Sequence, residues 1–196
     1  MTKKKATATL AAIKAVFKEA KRIKRPYLMD SYTTWNNYVV FTDSFNLIAT
    51  TAPINLENMV EVSEPMTFTK WLSIDSMTEY STATIPSRDE IKNAVDTLKA
   101  EGHKEIIVNI CGTVTLNAFY LLNALKAIDT DTIYIYDASK PIMIKDNNTK
   151  AVILPIVHCN IEKKKRIYEV AKPDNYIYIN SSGEIEIRRT ADTKTA

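Results

Sequence analysis

Apolar residues recur every three to four positions at Leu10, Ile13, Phe17 and Ala20, and then give way to short runs separated by turn residues. The first pattern predicts a helix over residues 6–24 with one apolar face. Pro26 ends it, because proline has no N–H to donate and clashes with the preceding turn. The runs Tyr27–Tyr32, Tyr38–Thr42 and Asn46–Thr51 then predict three strands, joined by tight turns at Thr34–Asn37 and Asp43–Phe45. A similar order returns later. A strand over Ile106–Ile110 leads into a helix from about Leu116 to Ile128, and strands follow at Thr132–Tyr136, Pro141–Ile144 and Ala151–Ile156. Asp137-Ala138-Ser139 and Asp146-Asn147-Asn148 supply the turns between them. On the second helix Ala118, Leu121, Leu122, Leu125 and Ile128 share one face. Phe119, Asn123 and Lys126 share the other, with Asn117 on the same open side.

The connecting segment is less regular. Glu57–Glu64 is acidic, Met66–Leu72 fits either a strand or a loop, and Trp71 is expected to pack on the sheet. Thr78–Ser87 reads as a polar loop. Ser87 then starts a helix over residues 88–101, with Glu90 at the capping-box position and Gly102 as terminator. After His158 the chain changes character. Ile161–Val170 is short and charged, with a helix as one reading. Asn175–Asn180, a Ser-Ser-Gly turn and Glu184–Arg188 predict a hairpin over 175–189 that must dock on the domain or on another subunit, since a lone hairpin is marginal in water. Thr190–Ala196 is expected to fray.

The pattern therefore predicts an α+β fold. Two halves, about 6–55 and 104–158, each carry a helix and three antiparallel strands. They pair edge to edge into one continuous sheet with both helices on one face. One domain over 6–158 and a C-terminal extension over 159–196 follow from this reading. A chain of 196 residues is long enough for a core of that size.

Composition narrows the chemistry. The chain has three glycines, which leaves no material for a glycine-rich phosphate loop. Cys111 and Cys159 do not make a disulfide framework, so a reducing cytoplasm is expected. No apolar run approaches the ~20 residues of a membrane span. Leu10–Phe17 is interrupted by Lys14 and lacks a small-residue cleavage pattern, so it does not read as a signal peptide. The net charge of +3 conceals a segregation: residues 1–25 carry +8, residues 26–160 carry −7 and residues 161–196 carry +2. Lys14, Lys18, Lys21 and Arg25 fall on one stripe of the first helix, with Arg22 and Lys24 beside it. A solvated helix face is the bland reading of that stripe. A polyanion partner is the other, because Glu19 is the only acid in the segment.

Several stretches resemble the bacterial DNA polymerase III β sliding clamp family. In the first half, Arg25-Pro26-Tyr27-Leu28 followed by Val39–Ala49 is similar to the clamp pattern of a post-helix proline, a strand and a TDG-type turn, with Ser44 in place of the glycine and Asn46 in place of an arginine. In the second half, Tyr120–Ala127 is similar to the clamp helix, Ser139–Ile144 to the strand after it, and Val152–Val157 to the terminal strand, with Leu154 in place of a methionine. The similarity covers roughly residues 8–158 and is more specific in the second half. It implies a clamp-type domain whose helices face DNA, and so assigns double-stranded DNA to Lys14, Lys18, Lys21, Arg22, Lys24, Arg25 and Lys126. It also implies a groove for replication-protein peptides beside Leu154, Pro155, Ile156 and Val157. Family clamps carry three such domains per chain and pair into a ring of six. This chain has one, so encirclement would require a homo-oligomer.

Other chemistry is sparse. His158-Cys159 and His103 have no further ligands at metal spacing, and a structural role is expected for them. Asp129, Asp131 and Asp137 sit at strand ends as turn residues. No nucleophile–base order appears, so no enzyme activity, cofactor or metal is expected. Three function classes remain: a non-sequence-specific clamp-like replication accessory protein of phage or mobile-element type, an interaction protein that regulates or mimics a host clamp without encircling DNA, and an unrelated α+β binding module.

Overall fold

The computed structural model describes residues 3–63, 80–162, 165–170 and 175–189. The fold is mixed α+β, and its residues group into two compact units. The described residues of unit 1 fall in 3–63, 123–130 and 143–153. Those of unit 2 fall in 80–122, 131–142 and from 154 onward.

Unit 1 opens with helix α1 (Lys3–Arg22). Its inward face is Thr9, Ala12, Ile13, Val16, Phe17, Glu19 and Ala20, all buried. Leu10 is half-buried instead of sitting in the core, and it lines a cavity of about 510 Å³ together with Ala6, Lys14, Asp30, Pro53 and Met59. The strands β1 (Ser31–Trp35), β2 (Tyr38–Thr42) and β3 (Asn46–Thr50) form an antiparallel meander. α1 packs on β2 and β3, and Phe17 meets Phe41 edge to face at 5.9 Å. Phe41, Ile13 and Ile48 are fully buried at this contact, each contributing about 1.5–3 kcal/mol of hydrophobic stabilisation.

The run Tyr27–Tyr32 is not one strand. Pro26–Leu28 forms a 3₁₀ turn, closed by Leu28 N–H to the Arg25 carbonyl and Met29 N–H to the Pro26 carbonyl. Asp30, at φ 51°, then reverses the backbone before Ser31. Proline sets the helical φ that a strand cannot use, which overrides the apolar pattern. The acidic segment contributes β4 (Val60–Glu61), parallel to β1. Met66–Leu72 and Trp71 lie outside the described residues, as does Thr190–Ala196.

On its other edge, β3 pairs antiparallel with β10 (Thr149–Ile153), running from Asn46↔Ile153 to Thr50↔Thr149. Residues of the first and second halves of the sequence thus share one sheet, and β9 (Ile142–Lys145) follows β10 in the order β4-β1-β2-β3-β10-β9. Asp146 makes the β9–β10 turn, accepting from the N–H groups of Asn148 and Thr149.

In unit 2, β5 (Ser81–Thr84) pairs antiparallel with β8 (Thr132–Ile135), so the stretch expected to be a polar loop contains a strand. Its Ser and Thr letters hide it, although Ala83 is buried on one side and Ser81 bonds the Ile135 carbonyl. Helix α2 (Arg88–Ala100) begins with a reciprocal box: Glu90 N–H donates to Ser87 Oγ, and Ser87 N–H donates to Glu90 Oε2. Gly102, at φ 94°, ends it.

β6 (Ile107–Ile110) is followed by β7 (Val114–Asn117) and only then by helix α3 (Ala118–Ala127). The helix expected from Leu116 therefore starts two residues later. Cys111 and Gly112, both at positive φ, form the turn that pairs Ile110 with Val114. The β-branched Val114 and Thr115 favour the pleated surface over a first helical turn. β13 (Asn175–Ile179) runs parallel to β6, and β14 (Ile185–Arg189) pairs antiparallel with β13, giving a sheet ordered β14-β13-β6-β7. α2 packs on β14, and Arg189 reaches Glu101 at 2.6 Å. The segment for which a helix was one reading is a hairpin, β11 (Val157–Glu162) with β12 (Lys165–Val170). Six-residue strands in register satisfy its backbone where a short charged helix would have no apolar stripe to dock.

Candidate nucleic-acid interface

The cationic side chains of α1 stand opposite its buried face. Lys14, Lys18, Lys21 and Arg22 are exposed, as is Lys24 just past the helix, and Arg25 is half-buried. The spacing of 14, 18 and 21 aligns three ammonium groups along about 10 Å of helix at 1.5 Å per residue. Lys14, Lys18, Lys21 and Lys24 make no ion pair with a described residue.

Two cations are committed elsewhere. Arg22 grips Glu19 with two hydrogen bonds, Nε at 2.7 Å and Nη2 at 2.6 Å. The single acid of the basic segment is thus folded inward and covered by its own arginine, at i,i+3. Lys5 pairs with Asp146 at 2.7 Å, tying α1 to the β9–β10 turn. Lys126 is half-buried on α3. Asn123, expected on the open side of that helix, is buried, and its amide donates to the Ala12 carbonyl of α1 at 3.1 Å. A carboxamide in a helix wheel reads as a surface letter, but here it satisfies the neighbouring helix. Asn117 bonds the Phe119 N–H at the start of α3, and Leu122, expected in the apolar face, is half-buried.

The end of α1 is fixed by a left-handed residue. Lys24 sits at φ 60°, and the Arg25 N–H reaches back to the Ala20 carbonyl at 2.8 Å. This six-to-one bond closes the helix in the manner usually assigned to glycine. Arg25 then lies with its guanidinium 5.5 Å from the centroid of the Phe45 ring.

Phe45 is held by Asp43. The Asp43 Oδ1 atom accepts from the N–H groups of Phe45 and Asn46, both at 2.8 Å, and Ser44 takes φ 83° in the turn. Asp43 is fully buried, and its Oδ2 meets no hydrogen-bond donor among the described residues. Burial pushes its carboxyl up to about 6. The two backbone hydrogen bonds oppose the shift and the Glu19 charge reinforces it.

The four residues suggested as a peptide groove, Leu154, Pro155, Ile156 and Val157, are half-buried in unit 2. Ile156 N–H donates to the Thr115 carbonyl, and Val157 pairs with Val170 at the start of β11. The sequence did not single out Tyr27 and Phe45 for exposure, yet they are 65% and 42% exposed at the end of α1. The signal for them was their place in turns, after Pro26 and after Asp43. Among the described residues no group of three or more His, Cys, Asp or Glu is placed to hold a metal ion, and no helix is long and apolar enough to cross a membrane.

No protein-family model and no curated protein sequence matches this chain. Among solved structures it is similar to the Helicobacter pylori β clamp bound to a DNA ligase peptide, with a TM-score of 0.35 and 14% identity over 63% of this chain and 41% of that one. It is also similar to DNA polymerase III subunit β of Borrelia burgdorferi in complex with a natural product. That match has a TM-score of 0.40 and 9% identity over 78% of this chain and 61% of that one. The chain thus spans about 41% to 61% of the length of these clamp chains.

Proposed function

We propose that this protein is a clamp-like replication accessory protein that contacts double-stranded DNA without sequence specificity through α1. The observation that carries this reading is the exposed row of Lys14, Lys18 and Lys21, without described carboxylate partners, on a helix whose opposite face is anchored to a sheet. Flexible ammonium groups on a rigid rod bind phosphates by counterion release and read no base edges, which suits a protein that must move along DNA. Lys24 and Arg25 extend the row, Lys126 adds a further cation from α3, and Arg22 contributes its charge while holding Glu19.

Homo-oligomerisation belongs to the same proposal, since one domain of this size encloses no duplex by itself. Replication proteins are the proposed partners at Leu154–Val157, whose half-buried side chains leave apolar surface for a peptide.

The test combines light scattering, with and without duplex DNA, and a salt titration of binding. The reading expects an oligomer and a steep salt dependence. In the Lys14→Glu, Lys18→Glu, Lys21→Glu variant the slope of log K against log salt is expected to be shallower by about 3, near 0.9 for each phosphate that is no longer neutralised. Unchanged duplex affinity in a folded triple variant refutes the DNA role. A monomer that ignores DNA and captures a clamp protein points instead to a regulator or mimic of a host clamp.

A further inference from the structure

We propose that the cavity between α1 and the loop after β3 is a binding site for a small zwitterion with a bulky apolar body, the chemistry of an apolar amino acid. The cavity holds about 510 Å³, inside the roughly 300–1,000 Å³ of small-molecule sites. Leu10, Ile54 and Met59, all half-buried, form its apolar wall together with Pro53, and Lys14 and Asp30, both exposed, stand in the same lining. Leu10 shares the helical spacing of the core residues Ile13 and Phe17 but lines this space instead. The walls are built in advance. Asp30 is set at φ 51°, and its carbonyl accepts from Val60 N–H at 2.9 Å. In the loop, Met59 N–H donates to the Leu56 carbonyl and Glu57 N–H donates to Asn55 Oδ1, each at 2.9 Å. A preformed concave site binds without the entropy cost of ordering its loop.

The two charges of the lining select the ligand. The Lys14 and Asp30 side chains form no ion pair with each other or with another described residue. A fatty acid would answer Lys14 and leave Asp30 facing an apolar chain, and an apolar amine would do the reverse. A zwitterion answers both. Its carboxylate takes the Lys14 ammonium, its ammonium takes the Asp30 carboxylate, and its side chain covers Leu10, Ile54 and Met59. Ion pairs at an exposed rim are individually weak, so the apolar wall carries most of the affinity and the charges carry the selectivity. Lys14 also belongs to the row proposed for duplex phosphates, so the two ligands would compete there, but the site stands without the DNA reading.

The experiment is isothermal titration calorimetry of the full chain, without DNA. Tryptophan is the probe, and tryptophanamide, N-acetyltryptophan and glycine are the comparisons. Tryptophan is expected to bind with a Kd of about 0.1–1 mM, the scale for a ligand of its size. Losing either charged end should weaken binding about fivefold, and glycine, which has no apolar body, should give no binding heat. Asp30→Asn keeps a residue that tolerates the left-handed backbone. It should erase the preference over N-acetyltryptophan and keep the preference over the amide. Lys14→Met keeps an apolar stem against the wall and should do the converse. Both substitutions fall at exposed positions and leave the core intact. No binding of tryptophan at about 10 mM, equal affinity for tryptophan and its blocked forms, or a preference that survives the matching substitution overturns the site.

Discussion

Replacing Asp43 with asparagine should stabilise this protein above neutral pH and leave it unchanged in acid. The Asp43 carboxyl is fully buried, one of its oxygens meets no donor among the described residues, and its folded-state value is about 6 against an ordinary 3.8. The folded chain therefore holds this proton more tightly than the unfolded chain. Below about pH 3 both states keep it and the stability is complete. As the pH rises from about 4 toward 6 the unfolded chain releases its proton first, and folding loses ground. A difference of about 2 pK units corresponds to about 3 kcal/mol, all of it lost above the folded value. That is a large part of the roughly 5–15 kcal/mol by which domains are stable. Asparagine keeps an Oδ1 acceptor for the Phe45 and Asn46 N–H groups and carries no charge, so the turn survives. Urea denaturation of wild type and Asp43→Asn at single-unit steps from about pH 3 to about pH 8 reads the effect as a difference, which cancels the other carboxylates. The stability gap should open by about 3 kcal/mol across the series, with half of it present near pH 5. A gap that stays flat, or one that grows in favour of aspartate, would refute the reasoning. Asp43→Ala is the control: it removes the acceptor and should destabilise at every pH.

Lys24→Gly should stabilise the end of α1 by about 0.5–1 kcal/mol, because Lys24 holds φ 60° where glycine carries no side-chain penalty, and Gly102→Ala at φ 94° should cost about 1 kcal/mol; thermal melts of both variants check the pair. Phe41→Ala removes the ring against Phe17 and should cost about 3–5 kcal/mol in a denaturant titration. Ser87→Ala breaks the side-chain arm of the box that starts α2 and should cost about 1 kcal/mol, read by urea denaturation at pH 7.

What the sequence made legible depended on local rules. The α1 stripe follows from a 3.6-residue period, and Asn36, Asp43 and Asp146 announce their turns because their side chains replace a backbone acceptor or tolerate positive φ. Local rules fail where partners distant in sequence decide. Asn123 reads as an open-side residue because nothing local reveals that the Ala12 carbonyl awaits it 111 residues away. Ser81–Thr84 lacks an apolar alternation strong enough to announce a strand, and its state is set by β8. Val114–Asn117 carries letters that suit a strand or a helix, and the positive φ of Cys111 resolves the choice. The candidate site divides in the same way. Its lysines are visible from spacing, whereas the commitment of Arg22 to Glu19 and the exposure of Phe45 depend on side-chain directions that a helix wheel does not carry.

The pairing of β3 with β10 also sets a schedule for synthesis. β3 is complete at residue 50, but its partner ends at residue 153, roughly a hundred residues later. At about 5–20 residues per second the open edge of β3 waits roughly 5–20 s on the ribosome for the strand that covers it. Throughout that interval five residues that end fully buried, Asn46 to Thr50, present an unpaired and largely apolar edge. A nascent chain stalled between these strands would expose a template for joining other chains, and that hazard ends only when β10 emerges.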